Sequence, residues 1–275
     1  MSSSRRLTTT ADRVNTRLGA LHVRIVGDGP TTVLWPSMFV DSHTWDSIQP
    51  LLPAKRRYVL VDGPGLGLSD PLTRTTDING AAAAALDLIA GLDIEGPVDW
   101  VGNAFGGHVG YKLGAMPAVL RSLVAISAPS EPLPGDLRKQ IGLLKPVLRL
   151  AGPIGPVRSA IIKAMLTDRS AADPNIRATV VDSIRRPHRA SMSRAVESFI
   201  LNRVDVTAEL ADITVPCLYI ASDDRGDWSP EDAQNAARLT PNATAVTVTG
   251  ARTLIPLEQP AEVARLVTDF WARLG

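Results

Sequence analysis

The chain has 275 residues, 45% hydrophobic and 21% charged, a balance that fits one globular unit or a core plus a subdomain. Its 29 basic and 28 acidic side chains give a formal charge of +1, so the whole-molecule balance makes no case for nucleic acid or for electrostatic attraction to a membrane. The single Cys217 excludes an intrachain disulfide and a cysteine-built metal site, and is expected as an inert thiol in an apolar strand.

Residues 1–12 are polar, lack the apolar run of a secretory signal, and are expected to fray. No stretch offers the roughly 20 uncharged apolar residues that span a bilayer, so the cytoplasm is the expected location. Short apolar strands are predicted at 21–26, closed by the turn Gly27-Asp28-Gly29-Pro30, and at 31–35. A helix is expected from Thr44 or Trp45 to just before Lys55, then a strand at 58–61. The glycine-rich run at 62–70 (Asp-Gly-Pro-Gly-Leu-Gly-Leu-Ser-Asp) is too irregular for either element. It lacks the strand-turn-helix pattern of a dinucleotide fingerprint and the Gly-Lys-Ser/Thr of a phosphate loop, so neither a nicotinamide cofactor nor a nucleoside triphosphate is expected. An alanine-rich helix follows at 78–92, and then strands at 97–101, 123–126, 217–220 and 245–248. Strands separated by helix-length segments predict an α/β fold with a mostly parallel sheet covered on both faces.

From about 133 to 201 no strand is evident, and helices broken at Pro146, Gly152-Pro153, Gly155-Pro156 and Pro187 are predicted. This segment is rich in Arg and Lys, Arg158, Arg185, Arg186 and Arg189 among them. Inserted between two sheet strands, it reads as a helical cap, which divides the chain into core (13–132), cap (133–204) and core (205–275). Its charge is either a solvated face or an attraction for an anionic ligand or partner. Without interleaved aromatics or a nucleic-acid motif, nucleic acid is not expected.

The chain resembles the α/β-hydrolase superfamily over nearly all of its length outside the first dozen residues. The resemblance rests on Trp35-Pro36-Ser37-Met38 after a core strand, the run at 62–70, the strand-to-helix elbow Gly102-Asn103-Ala104-Phe105-Gly106-Gly107, the cap, the acidic loop at 221–227, and Gly250 followed by Pro256-Leu257-Glu258-Gln259-Pro260. The elbow is similar to that of carbon–carbon bond hydrolases, and the first loop to that of enol-lactonases. In working members the elbow presents a serine whose proton is removed by a histidine that an acid orients. The resemblance puts Ala104 at the nucleophile, Thr253 at the base and Asp224 at the acid. It puts the two oxyanion-hole donors on the backbone N–H groups of Met38 and Phe105. Both Ala104 and Thr253 replace reactive groups, a pattern of divergence rather than of one inactivating replacement, so serine-esterase chemistry is not expected.

Other residues are candidates for the pocket: Ser37, His43 at its rim, Glu131 after the strand ending near Ser127, and Trp228. His108 is expected to pack, and Asp62 to be structural. Four scattered histidines make no metal site. Two functions stay open. One is an atypical, cofactor-independent enzyme acting on a small carbonyl or carboxylate compound by lyase, isomerase or cyclase-like chemistry. The other is a pseudo-hydrolase that binds a small, possibly anionic molecule as receptor, carrier or regulator. A homo-oligomer is compatible with either.

Overall fold

The computed structural model describes residues 9–224 and 228–275. Eight strands form one sheet in the order β1-β2-β4-β3-β5-β6-β7-β8. They are β1 (Thr9–Thr16), β2 (Gly19–Val26), β3 (Thr31–Trp35), β4 (Arg57–Val61), β5 (Val98–Asn103), β6 (Leu120–Ile126), β7 (Cys217–Ser222) and β8 (Ala243–Val248). β1 and β4 run antiparallel to β2, and every other pairing is parallel. Thr9 to Asp12, expected to fray, instead pair with Val26 to Val23. A polar strand is tolerated there because β1 is an edge strand, exposed along residues 9–13.

Alternation along the strands divides the core in two. Val33, Trp35, Val59 and Val61 face α1 (Ile78–Gly91) and α2 (Phe105–Gly114), while Leu34 and Leu60 share the opposite layer with Phe270 and Trp271 of the C-terminal helix. All residues of β3 and β5 are buried, as strands covered on both faces require. Cys217 is buried at the start of β7, and burial pushes its thiol up to about 12, an inert core group.

The helix expected at 44–54 is absent. Two 3₁₀ turns, Ser42–Trp45 and Gln49–Leu51, take its place. Pro50 and Pro53 cannot donate the backbone bonds that a continuous helix needs.

Between β6 and β7 the chain forms five helices: α3 (Gly135–Ala151), α4 (Gly155–Met165), α5 (Asp168–Ala172), α6 (Pro174–Arg185) and α7 (Arg189–Val196). A π-helical turn, Glu197–Leu201, follows. Helix α3 continues through Pro146, where a break was expected. The proline removes one bond, to the carbonyl of Gly142, on an exposed stretch where the turns on either side carry the helix forward. After β7 come α8 (Pro230–Leu239), α9 (Ile255–Glu258) and α10 (Pro260–Ala272).

Candidate functional site

The elbow forms at the carboxyl end of β5. Ala104 has φ 45° and ψ −102°, a conformation that a residue with a Cβ adopts only when its surroundings impose it. Here the surroundings are closely packed backbone. A Cβ on Gly102 would collide with the carbonyl of Gly106, and one on Gly106 with the carbonyl of Trp35. The Ala104 N–H donates to the Ile126 carbonyl (2.7 Å), and its own carbonyl accepts from the His108 N–H (3.0 Å) as α2 begins. The geometry that displays a nucleophile is thus intact, and it displays a methyl group.

That methyl lines a cavity of about 520 Å³ between sheet and cap. Ser37, Met38, Phe105 and Thr253 line it from the core side. Among the described residues, no backbone carbonyl accepts from the N–H groups of Met38 or Phe105. Both donors of the expected oxyanion hole are therefore available to a ligand oxygen. From the cap, α3 contributes Ile141, Leu144 and Leu148, and Phe199 of the π-helical turn stacks on Phe105 with ring centroids 4.4 Å apart. The polar rim is cationic: Lys145, Lys163 and Arg203 line the cavity, and no Asp or Glu lines it among the described residues. Lys145 is partly neutralised by Glu197, 2.7 Å away.

Thr253 and Asp224, expected at the base and acid positions, are both engaged in contacts that reach the cap. Thr253 stands at the cavity, and its hydroxyl donates to the Ala164 carbonyl of α4 (3.0 Å). Asn103 donates to the Thr253 carbonyl (2.9 Å), fixing the loop beside the elbow. Asp224 accepts from the guanidinium of Arg252 (3.0 Å), which also donates to the Lys163 carbonyl (2.5 Å). Arg252 is buried, its backbone N–H held by Glu258 (2.7 Å) and its carbonyl by Ser222 (2.9 Å). Asp224 thus orients a cation that braces the cap. Sequence reasoning missed Arg252, although an arginine directly before Thr253 in a loop without histidine was the available signal.

Other candidates fall outside the cavity. His43 is held by Asp41 (Nδ1 to Oδ1, 2.9 Å), which also pairs with Arg186 of the cap, and it does not line the cavity. Trp228 is fully buried beside Tyr219, a core residue rather than a pocket wall. Glu131 is exposed, short of the cavity. Arg225 and Asp227 of the acidic loop at 221–227 lie outside the described residues. Asp62 is wholly buried. Burial opposes its charge, but bonds from His22 and from the Leu68 and Ser42 N–H groups hold its carboxyl below the usual range.

His108, expected to pack, lines the cavity with its Nε2 against the Pro129 carbonyl (2.8 Å). Burial, and then the charge of Arg203, push it down to about 3, against the pull of that hydrogen bond. A neutral imidazole of such low basicity, its Nε2 proton committed to a carbonyl, is poorly suited to general-base work near neutral pH. Among the described residues, no three His, Cys, Asp or Glu side chains gather as a metal-ligand set, and no helix is long and apolar enough to cross a membrane.

A strained elbow at the end of a central strand, backbone donors beside it and a helical cap above define an α/β-hydrolase-fold protein. Residues 32–266 match the family described as "Alpha/beta hydrolase family", and the chain belongs to it. It is 30% identical over 223 residues to "Putative carbamate hydrolase RutD" of Pseudomonas syringae pv. syringae, covering 80% of this chain and 85% of that protein. The protein of the same name from Stutzerimonas stutzeri is 30% identical over 227 residues, covering 81% and 84%. Among solved structures, the enol-lactonase from Burkholderia xenovorans LB400 superposes with a TM-score of 0.85 at 20% identity, covering 95% of this chain and 100% of that one. A thermophilic esterase from Thermogutta terrifontis gives 0.83 at 20%, covering 96% and 98%.

Proposed function

We propose that this chain binds a small amphipathic carboxylate or carbonyl compound in the inherited hydrolase pocket without acyl transfer. The observation that carries this reading is Ala104, held in the strained elbow geometry and facing an apolar cavity from which the base has gone. A methyl group cannot form an acyl-enzyme, and Thr253 and Asp224 are both engaged in holding the cap. Binding needs none of these groups. It needs apolar walls, the Met38 and Phe105 N–H pair for a ligand oxygen, and a cationic rim for a carboxylate, all of which line the cavity. The volume suits a ligand of drug-like size. The relatives named as carbamate hydrolase act, by that name, on a small carbonyl compound, which agrees with a carbonyl-sized polar end.

The same unengaged N–H pair also supports a second reading, in which the pocket polarises a carbonyl for lyase, isomerase or cyclase-like chemistry. One experiment separates the two. The protein is titrated calorimetrically with medium-chain and aryl-alkanoic acids, and each mixture, together with p-nitrophenyl esters, is followed by mass spectrometry. One-to-one binding with every compound recovered unchanged is the expected result. Product formation at a rate above buffer would sink the binding reading.

A further inference from the structure

Helix α3 is apolar on two faces. Its inner face closes the ligand cavity through Ile141, Leu144 and Leu148. Its outer face carries Leu143, Val147 and Leu150 at spacings of four and three residues, and Ile154 continues the line beyond the helix end. These side chains are 78%, 44%, 76% and 55% exposed. One exposed leucine is ordinary, whereas four aligned along about three helical turns form a patch.

The stripe runs directly into a second cavity of about 510 Å³, to which Ile154 itself contributes. Arg158, Arg185, Arg186, His188 and Arg189 line it, and among the described residues no Asp or Glu does. Arg186 is paired with Asp41. Among the described residues, Arg158, Arg185 and Arg189 have no carboxylate within ion-pairing distance. Arg149 adds an exposed cation on α3, while Lys139 is paired with Asp136 of the same helix at 3.7 Å. The near-zero total charge of the chain therefore conceals a local concentration of positive charge on the cap.

We infer that the outer face of the cap docks on an anionic lipid surface, with Leu143, Val147, Leu150 and Ile154 entering the apolar layer and the arginine-lined cavity receiving acidic headgroups. The pairing of features selects this occupant. A free anion would use the arginines and leave the apolar stripe without purpose. A second copy meeting this face symmetrically would bring the arginine clusters toward each other, where like charges repel. An anionic bilayer satisfies both, with a surface of headgroups above an apolar layer into which side chains can enter. The inference stands apart from the ligand reading, since it uses neither the elbow nor the inner cavity.

The test is sedimentation of the full chain with vesicles of phosphatidylcholine alone, or containing about 30 mol% phosphatidylglycerol, at ~0.1 M salt. Binding at least about tenfold stronger to the anionic vesicles is expected. Leu150→Ser/Ile154→Ser and, separately, Arg185→Gln/Arg189→Gln are each expected to weaken it about tenfold while keeping the wild-type Tm. The side chains concerned are on the surface, and two independent pairs guard against one failing to fold. Three results would overturn the inference: equal binding to both vesicle types, anionic binding untouched by Leu150→Ser/Ile154→Ser, or no vesicle binding. In the second case, competition by inorganic phosphate would identify a small-anion site. In the third, a dimer seen by sedimentation velocity and lost in Leu150→Ser/Ile154→Ser would identify a self-association face.

Discussion

The Thr253 hydroxyl, expected at the base position, donates to the carbonyl of Ala164, 3.0 Å away. It is the middle rung of a three-rung clamp. Arg252 donates to the carbonyl of Lys163 (2.5 Å), and the Leu254 N–H donates to that of Met165 (3.1 Å), so three consecutive residues of this loop hold three consecutive cap carbonyls. Glu258 reinforces the clamp by accepting from both the N–H (2.9 Å) and the hydroxyl (2.8 Å) of Thr167. The loop at 252–254 thus fixes the cap over the cavity.

Removing Arg252 therefore acts on stability and on the cap together. Arg252→Ala leaves the Lys163 carbonyl and Asp224 without their donor, and is expected to lower unfolding stability by about 2 kcal/mol. Urea denaturation measures the loss, and limited proteolysis should show faster cleavage around 152–166. A variant with wild-type stability and unchanged cap cleavage would mean that the clamp holds nothing.

Rebuilding the triad gives a sharper outcome. Ala104→Ser/Thr253→His restores nucleophile and base in intact elbow geometry, but Asp224 remains bound to Arg252 at 3.0 Å and cannot orient the new imidazole. Esterase activity toward p-nitrophenyl butyrate should stay near background. Adding Arg252→Met frees the acid and should raise kcat/KM by about tenfold or more, since an unoriented histidine loses orders of magnitude in such triads. Full activity in the double variant would show that Asp224 is not the acid.

The core was legible because its signals are local. Seven of the eight strands read directly as apolar runs between turn residues, and the elbow read from glycines whose spacing is forced by backbone contact. β1 was not legible, because its polar residues are held by the ladder to β2 rather than by burial. In the site, Ser37, Met38, Ala104, Phe105 and Thr253 could be placed because each sits at a fixed offset from a strand end. His43, Trp228 and Glu131 could not, because where those side chains point depends on partners far away in sequence. Arg186 of the cap, which pairs with Asp41 beside His43, is one such partner. Arg252 shows the same limit, for its guanidinium joins the cap to Asp224 across gaps of 89 and 28 residues.

His108 sets an acid limit on stability. Its folded value is about 3 and its unfolded value about 6.5, so between those pH values the unfolded chain binds a proton that the native protein excludes. Its contribution is complete above about pH 6.5 and is lost on acidification, at about 1.4 kcal/mol per pH unit within that window. The lowered carboxyls of Asp41 and Asp62 act in the same direction, in the more acidic range below their ordinary values near 4. His108→Gln retains a donor for the Pro129 carbonyl and has no titrating group. Denaturation midpoints between about pH 4 and 6.5 should then fall less steeply for this variant than for the wild type. Parallel slopes would place the pH sensitivity elsewhere.

The cationic rim makes a prediction about ligand charge that does not depend on knowing the ligand. Lys163 lines the cavity with an exposed side chain, while its backbone carbonyl is fixed by Arg252, so its charge can be changed without loosening that rung of the clamp. Reversal in Lys163→Glu should weaken a carboxylate ligand about tenfold, equivalent to ~1.4 kcal/mol, and the effect should shrink with added salt because the site is partly solvated. The matching neutral amide should bind both proteins alike, since the apolar walls are untouched. Calorimetric titration of acid and amide against both proteins measures the difference. Equal loss for the two ligands would show that Lys163 contributes shape rather than charge, and the preference for an anion would then have to come from Lys145 or Arg203.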